Sequence, residues 1–219
     1  NILSVGVTSD TTGYLSNETG TIVSFVQSGQ LFEYNQNKQT FTKVYGFIDD
    51  PTDARQSYGQ HNIRILNIDE TGNMDFVVYG YMNRGQHEGE SGIDLYHYDS
   101  IKQEAIEQVF IATTHSYQIL NADFSDLLYE NADGDFYIMM GGTLAKVGLD
   151  DLSTKELITN LKSDQYAVSS SGRYVAWMTE DDVADQISIM DLETEKVRTI
   201  DAAKGTKIKP LAFMTEDFV

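Results

Sequence analysis

One strand–turn–strand pattern recurs four times along this chain of 219 residues. In each copy, an alternating strand ends in Asp or Asn, a short polar turn contains a lysine, and a second alternating strand follows. The turn lysines are Lys38, Lys102, Lys155 and Lys196. An Asp or Asn suits the end of the first strand because its side chain accepts hydrogen bonds from turn amides. A repeated unit of this kind predicts an all-β repeat architecture.

The spacing of the copies indicates which repeat architecture to expect. Their first strands begin at residues 31, 93, 144 and 187, so that the spacings are 62, 51 and 43 residues. Propeller blades repeat about every 40–50 residues, and longer loops account for the early excess. The chain is therefore predicted to be all-β, a β-propeller of about four to five four-stranded blades within a larger propeller. The predicted units, in one propeller region over residues 1–219, are 14–50, 60–113, 115–162, 164–203 and a partial blade 206–219.

Two more strands complete each predicted unit. A more apolar inner strand precedes each hairpin, at residues 21–26, 76–81, 136–140 and 174–178. Leading strands are expected at residues 63–68, 117–122, 166–169 and 208–213. The last of these begins a fifth unit, which predicts that the natural protein continues. Trp177 falls in an inner strand, and we interpret it as a core residue.

The segment 100–111 carries two conflicting patterns. Ile101, Ala105, Ile106 and Val109 have helical spacing, whereas Ile106, Gln108 and Phe110 alternate as in a strand. Its place in the repeat favours the strand.

A family resemblance supports the same fold. Residues 169–177 read Ser-Ser-Ser-Gly-Arg-Tyr-Val-Ala-Trp, and residues 187–194 read Ile-Ser-Ile-Met-Asp-Leu-Glu-Thr. Together they resemble the repeat of TolB-type, WD40-like propellers. This chain departs from that pattern, since the first turn lacks Pro and Asp and Glu195 stands where Gly is usual. The resemblance implies a propeller and no catalytic residues, because such repeats occur in both binding modules and enzymes.

The charge of the chain restricts its partners. With 34 acidic and 15 basic residues, the formal net charge is -19. Such a field repels phosphate backbones and anionic lipid surfaces, so a nucleic-acid partner is not expected. Cationic ligands, metal ions and basic protein patches are compatible with it. No window approaches the ~18 apolar residues of a membrane span.

Other compositional features bear on location and assembly. The chain has no cysteine, which both a reducing cytoplasm and the exterior of a bacterium that seldom uses disulfides would permit. Its 13 tyrosines, its many Asn and acidic residues, its few lysines and the TolB-like resemblance predict an extracytoplasmic bacterial protein, secreted or anchored at the cell surface as a lipoprotein. Self-association is a further expectation, because an incomplete ring leaves strand edges unpaired.

A Gly-rich excursion over residues 79–92 is the most distinctive candidate site. Arg55, Arg64, Arg84, His61 and His87 make this region locally basic. The hypothesis is a site for a polar protein or glycan ligand that is formed by Tyr81, Asn83, Arg84, His87 and Glu88, with His61 and Arg64. The alternative is that Arg84 pairs with Glu88 or Glu90 and merely fixes a long loop.

Metal and catalytic motifs are weak. His61, His87 and Glu88 offer ligand atoms, but HExxH spacing is absent. The acidic turns 69–75 and 131–135 resemble calcium loops without their terminal Glu, and plain turns are the favoured interpretation.

No nucleophile elbow or phosphate-binding loop is present either. The prediction is therefore a non-catalytic binding or protein-interaction scaffold with no cofactor, metal site or catalytic residue. The alternative is a propeller enzyme that acts on glycans or peptides.

Overall fold

The structure, a computed structural model, describes residues 11–46, 52, 59–123, 127–148 and 153–219. Strands form nearly all of the regular structure in these ranges. In chain order they are β1 Thr11–Ser16, β2 Ile22–Gln27, β3 Gln30–Asn35, β4 Thr40–Gly46, β5 His61–Ile68, β6 Met74–Tyr81, β7 Ser91–Asp99, β8 Glu104–Ala112, β9 Leu128–Glu130, β10 Phe136–Met140, β11 Thr143–Val147, β12 Thr154–Ile158, β13 Tyr166–Val168, β14 Tyr174–Trp177, β15 Gln186–Asp191, β16 Lys196–Asp201, β17 Phe213–Met214 and β18 Asp217–Phe218. A short helix, α1 Tyr117–Asp123, lies between β8 and β9.

Sixteen of these strands form four sheets of one kind, each made of four consecutive antiparallel strands. Sheet 1 contains β1–β4, sheet 2 contains β5–β8, sheet 3 contains β9–β12 and sheet 4 contains β13–β16. The last two strands, β17 and β18, form a separate terminal hairpin. The predicted all-β class with four-stranded, blade-like sheets is confirmed.

The second strand of each sheet is its most apolar one. In β6, every residue from Phe76 to Gly80 is buried, and in β10 only Met140 is not. Because successive side chains of a strand point to opposite faces, such a strand has both faces covered. The more apolar strands predicted at residues 21–26, 76–81, 136–140 and 174–178 are confirmed, and their place near a propeller axis stays a prediction.

The described residues form two compact units, one that ends at Asn121 and one that begins at Ala122. In the first unit, side chains of sheet 1 such as Leu31 and Val44 pack with Phe76 and Val78 of sheet 2 in one core. In the second, Tyr137 and Leu144 of sheet 3 pack with Val175 and Met190 of sheet 4. That all predicted units belong to a single propeller region stays a prediction.

The turn chemistry within the hairpins is as expected. Asn35 Oδ1 accepts a hydrogen bond from the Lys38 amide at 3.0 Å, and Asp99 Oδ1 accepts one from the Lys102 amide at 2.9 Å. Asp191 does the same for the Glu193 amide at 3.0 Å. The corresponding Asp150 lies outside the described residues.

The leading strand predicted at residues 117–122 is wrong, because this segment forms α1. Ser116 begins the helix: its carbonyl accepts from the Leu120 amide at 3.0 Å, and its Oγ accepts from the Ile119 amide at 3.4 Å. Leu120 is fully buried whereas Ile119 is exposed, so a single apolar side chain anchors the helix. Sheet 3 takes β9 as its leading strand instead.

The strand predicted at residues 208–213 is also wrong over most of its length. Ile208 forms an isolated bridge with Ala184, and the ladder stops there. Pro210 has no amide hydrogen to donate, so it cannot continue the pairing. The chain re-enters strand structure only at Phe213, in the terminal hairpin.

Two other interpretations hold. The segment with conflicting patterns forms strand β8, so its place in the repeat was the correct guide. Trp177 lies at the end of β14, partly buried, and packs against the core that contains Val175 and Met190. It is a core residue that keeps some exposed surface.

The packing of sheet 1 on sheet 2 can be tested by mutating a residue between the two sheets. Phe76 is fully buried, and its ring centroid lies 5.3 Å from that of Tyr45 on β4 and 5.2 Å from that of Tyr96 on β7. Phe76→Ala should lower the free energy of unfolding by about 3–5 kcal/mol because it leaves a cavity between the sheets. The exposed Ile101→Ala is the control and should change it by less than about 0.5 kcal/mol. Urea denaturation measures both, and equal effects would contradict this packing.

Candidate functional site

The loop between β6 and β7, residues 82–90, has a defined internal structure. The Met82 amide donates to the Glu90 carbonyl at 2.8 Å, and the Gly89 amide donates back to the Met82 carbonyl at 2.8 Å. Met82 itself is buried in the core of the first unit. The loop is therefore closed at its base by backbone hydrogen bonds and anchored by one apolar side chain.

The structure separates two of the predicted site residues on β5. His61 and Arg64 are three positions apart, so their side chains lie on opposite faces of sheet 2. Burial lowers the pKa of both side chains, and the positive charge of Arg84 lowers that of His61 further. The seven predicted residues thus do not converge on one point.

Four other predicted residues lie in the loop or directly before it. Tyr81 and Glu88 are exposed, whereas Asn83 and Arg84 are partly buried. Arg55 lies outside the described residues. The internal pairing of Arg84 with Glu88 or Glu90 stays a prediction, as does the ligand site itself.

His87 is the predicted residue that the structure places most distinctly. Its imidazole stacks on the Phe110 ring of β8, with centroids 3.7 Å apart and planes at 9°. Its Nε2 lies 3.0 Å from Oε1 of Glu107, also on β8. The loop therefore reaches across β7, and His87 fixes it to the outer strand of the sheet.

Gly92 makes this arrangement sterically feasible. A Cβ at this position would lie 2.5 Å from two carbons of the Phe110 ring and 2.7 Å from the Ile111 carbonyl oxygen. Any side chain here would displace the ring on which His87 stacks. The glycine at the start of β7 thus serves close packing rather than an unusual backbone angle.

Asp94 lies beneath the loop, in the middle of β7. It is 2% exposed, and its cross-strand neighbours are Val78 and Phe110. Its Oδ2 accepts a hydrogen bond from the Tyr96 hydroxyl at 2.7 Å, whereas its Oδ1 is buried without a hydrogen-bond partner. Burial raises the pKa of Asp94 to about 7, and the negative charge of Glu107 also raises it, against the opposing effects of Tyr96 and His87.

His87, Asp94 and Glu107 together form what we call the acid–histidine cluster. One potential ligand atom from each residue lies within 4.8 Å of the other two. Among the described residues, this is the only such group of three His, Asp or Glu side chains. The loop, β7 and β8 each contribute one member.

Sequence reasoning identified His87 but missed the other two members. One signal was available for Asp94: an acidic residue stands between Ile93 and Leu95 in a strand with buried neighbours on both sides. Glu107 gave no such signal, because charged residues are common on outer strands. Its position opposite Tyr96 depends on a β-bulge between Leu95 and Tyr96, which shifts the register by one residue.

The two acidic turns that resemble calcium loops serve as turns. Asp69 Oδ1 accepts hydrogen bonds from the Thr71 amide and hydroxyl, both at 2.7 Å, and from the Asn73 amide at 3.0 Å. These bonds lower the pKa of Asp69 although burial opposes them. Asn131 Oδ1 accepts likewise from the Asp133 and Asp135 amides at 3.1 and 2.8 Å. The favoured interpretation as plain turns fits these contacts.

A second concave surface lies in the other unit, between sheet 4 and the terminal hairpin. This groove of about 320 Å³ has Tyr174, Phe213 and Phe218 among its lining residues, with Asp191 and Arg198 at its sides. Asp191 is already bound by Arg173 through two hydrogen bonds of 2.8 Å. The groove thus has an aromatic lining, and the negative charge of Asp191 is neutralised by Arg173.

Sequence comparisons assign no family: no family model and no curated protein sequence matches this chain. No helix in the described ranges is long and apolar enough to cross a membrane.

Structural comparison shows the fold. The WD40 domain of SCAP from fission yeast matches with a TM-score of 0.50 at 10% identity, over 90% of this chain and 43% of that chain. TolB from Acinetobacter baumannii matches with a TM-score of 0.43 at 14% identity, over 88% of this chain and 43% of its own. An auxiliary nutrient binding protein from Bacteroides thetaiotaomicron gives 0.47 at 11%, over 89% and 42%.

The chain therefore has a fold similar to that of the WD40 domain of SCAP. It spans less than half the length of each of these three structures. A dipeptidyl peptidase 4 from Porphyromonas gingivalis and a puromycin hydrolase also occur among the matched structures, with TM-scores of 0.49 and 0.47. A fold alone does not select an activity.

Two buried carboxyl groups predict how the folding stability depends on pH. Burial raises the pKa of both Asp94 and Glu33 to about 7. The folded protein then holds protons that the unfolded chain releases above about pH 4, so folding stability should fall as the pH rises from about 4 through about 7. In chelator-treated protein, Asp94→Asn should be about 1–3 kcal/mol more stable than the wild type at pH 8, and this difference should shrink toward pH 4.

Urea denaturation across this pH range measures the effect. The exposed Asp182→Asn is the control and should track the wild type within about 0.5 kcal/mol at every pH. An Asp94→Asn protein that is less stable than the wild type at pH 8 would contradict the raised pKa.

Proposed function

We propose that this chain is a non-catalytic binding or protein-interaction scaffold, part of a larger extracytoplasmic bacterial β-propeller. Its four sheets and terminal hairpin would belong to one propeller region over residues 1–219. The ligand would bind at the outer surface of loop 82–90. The observation that carries the proposal is that this loop is fixed at both its base and its middle.

A fixed loop is a good binding surface because little conformational entropy is lost when a ligand binds. Backbone hydrogen bonds close the base of the loop beside Met82, and the contacts of His87 with Phe110 and Glu107 hold its middle. A loop that only connected two strands would not need a side chain stacked across the sheet.

The exposed side chains indicate the ligand class. Tyr81 offers an aromatic surface, and Glu88 and Glu90 offer carboxylate acceptors. Asn83 and Arg84 lie partly buried beside them and supply donors. An aromatic surface with surrounding acceptors suits sugar hydroxyls or the amino groups of a basic peptide, and the net charge of -19 favours cationic partners. The proposed ligand is therefore a glycan or a basic protein segment.

The extracytoplasmic location is proposed on composition. The chain is rich in tyrosine and acidic residues and poor in lysine, and its repeat resembles that of TolB-type propellers. Detection of the native protein in periplasmic, membrane and secreted fractions with an antibody tests this location, and recovery in the cytosol alone contradicts it.

Ligand binding is tested with glycan and peptide arrays, followed by calorimetry on each hit. The double variant Tyr81→Ala/Glu88→Gln should lower the affinity at least about tenfold, because both side chains are exposed at the proposed binding surface. The matched control is Tyr14→Ala/Glu18→Gln, which removes the same exposed residue types from sheet 1 and should bind like the wild type.

Two results would contradict the proposal. One is an equal loss of affinity in the control variant, which would show that the ligand does not bind specifically at loop 82–90. The other is turnover of array hits, measured by mass spectrometry of the incubated ligand. Turnover would favour the alternative, a propeller enzyme that acts on glycans or peptides.

A further inference from the structure

We propose that His87, Asp94 and Glu107 form a binding site for a divalent transition-metal ion, with zinc as the best match. This inference goes beyond the proposed function because it concerns the inner side of loop 82–90, beneath the surface assigned to the glycan or peptide. It does not require that such a ligand exists.

The first argument is charge. Asp94 and Glu107 place two carboxyl groups close together, and the Asp94 side chain is almost completely buried. In the described parts of the chain, neither forms an ion pair with a lysine or arginine; Glu107 meets only His87. Buried carboxylates that are close together require a proton or a cation between them.

The second argument is the unused oxygen of Asp94. Tyr96 binds Oδ2, whereas Oδ1 is buried and has no hydrogen-bond partner. A buried acceptor without a partner costs free energy, so native structures seldom leave one. The Asp94 carboxyl group belongs to the acid–histidine cluster, in which one potential ligand atom from each residue lies within 4.8 Å of the other two, so an ion bound by Oδ1 would satisfy this oxygen.

The third argument is ligand type and spacing. Imidazole with carboxylates suits zinc and its first-row neighbours, whereas calcium and magnesium prefer oxygen ligands alone. Two ligands of a tetrahedral zinc ion at ~2.1 Å lie about 3.4 Å apart. The distance of 3.0 Å from His87 Nε2 to Glu107 Oε1 is close to that value, so small side-chain rotations admit the ion.

The fourth argument is how the candidate ligands are held and reached. Stacking on Phe110 orients the His87 ring, and the Tyr96 hydroxyl orients the Asp94 carboxylate. Such supporting contacts are a normal feature of metal sites. The side chains of His87 and Glu107 keep 17% and 29% of their surface exposed, which gives an ion a path from solvent. Three protein ligands leave a fourth position for water or a ligand atom.

The competing explanation is a proton in place of the ion. In it, Asp94 stays protonated and His87 simply donates to Glu107, so the cluster would only fix the loop. The two explanations differ in a measurable way, because only a metal site binds zinc tightly, at one ion per chain.

The experiment uses the full chain after removal of metal with EDTA and titrates it with zinc chloride in a calorimeter at pH 7. We expect one zinc per chain with a Kd below about 10 μM. The heat of binding should depend on the buffer, because zinc binding releases protons. Calcium should bind at least about a hundredfold more weakly. Cobalt(II) bound to the wild type should give visible absorption bands that are much more intense than the weak band of cobalt(II) in water.

The variants His87→Ala and Glu107→Gln should each weaken zinc binding at least about thirtyfold, since each removes one of three ligands. His97→Ala is the matched control, because His97 Nδ1 also meets a carboxylate, Asp75, at 2.7 Å on the same sheet but without a third ligand. It should bind zinc like the wild type. Circular dichroism checks that each variant is folded. Loss of the cobalt absorption bands in Asp94→Asn is an independent test that Asp94 is the third ligand.

Three results would overturn the inference. They are zinc binding weaker than about 100 μM in the wild type, an equal loss in His97→Ala and His87→Ala, or equal affinity for calcium and zinc. Loss of glycan or peptide binding with intact zinc binding would instead contradict only the proposed function.

Discussion

Burial of both faces of the second strand in each sheet is the constraint on which the rest of this structure depends. A single four-stranded sheet cannot cover a strand such as β6, whose residues from Phe76 to Gly80 are all buried. Each sheet must therefore pack face to face with a neighbour. In the first unit this packing joins sheets 1 and 2 in one core, and in the second it joins sheets 3 and 4.

The candidate site follows from that packing. Asp94 lies on the face of β7 that shares a core with Phe76, and Tyr45 of sheet 1 packs against the neighbouring Tyr96. The carboxyl group therefore enters a region that excludes water, which raises its pKa to about 7. A polar group at this depth reduces stability unless another group compensates for it. This cost is the physical reason to look for a function at the cluster.

Loop 82–90 connects the two proposals. Tyr81, at the end of β6, and Glu88 of the loop are exposed to solvent, while His87 turns inward to Phe110 and Glu107. An ion on the inner side would hold the middle of the loop more firmly than one hydrogen bond does. Metal binding and ligand binding would then be coupled through the same short segment, although each can be measured alone.

The strands were predictable where local chemistry decides them. Apolar runs marked the inner strands, and Asn35, Asp99 and Asp191 cap turns as their side chains suggest. Residues 117–122 were mispredicted because their short alternation was outweighed by the Ser116 cap and the single buried anchor Leu120. The segment after Ile208 was mispredicted because Pro210 interrupts the pairing.

By itself, then, the sequence determined the all-β class, the repeated hairpins, the capped turns and the loop with His87, because each depends on neighbours along the chain. Only the tertiary structure decided that Asp94 and Glu107 meet His87. Those relations depend on strand register, and a single bulge between Leu95 and Tyr96 changes which residue of β8 faces each residue of β7. A register is fixed by packing across the sheets, which no local pattern specifies.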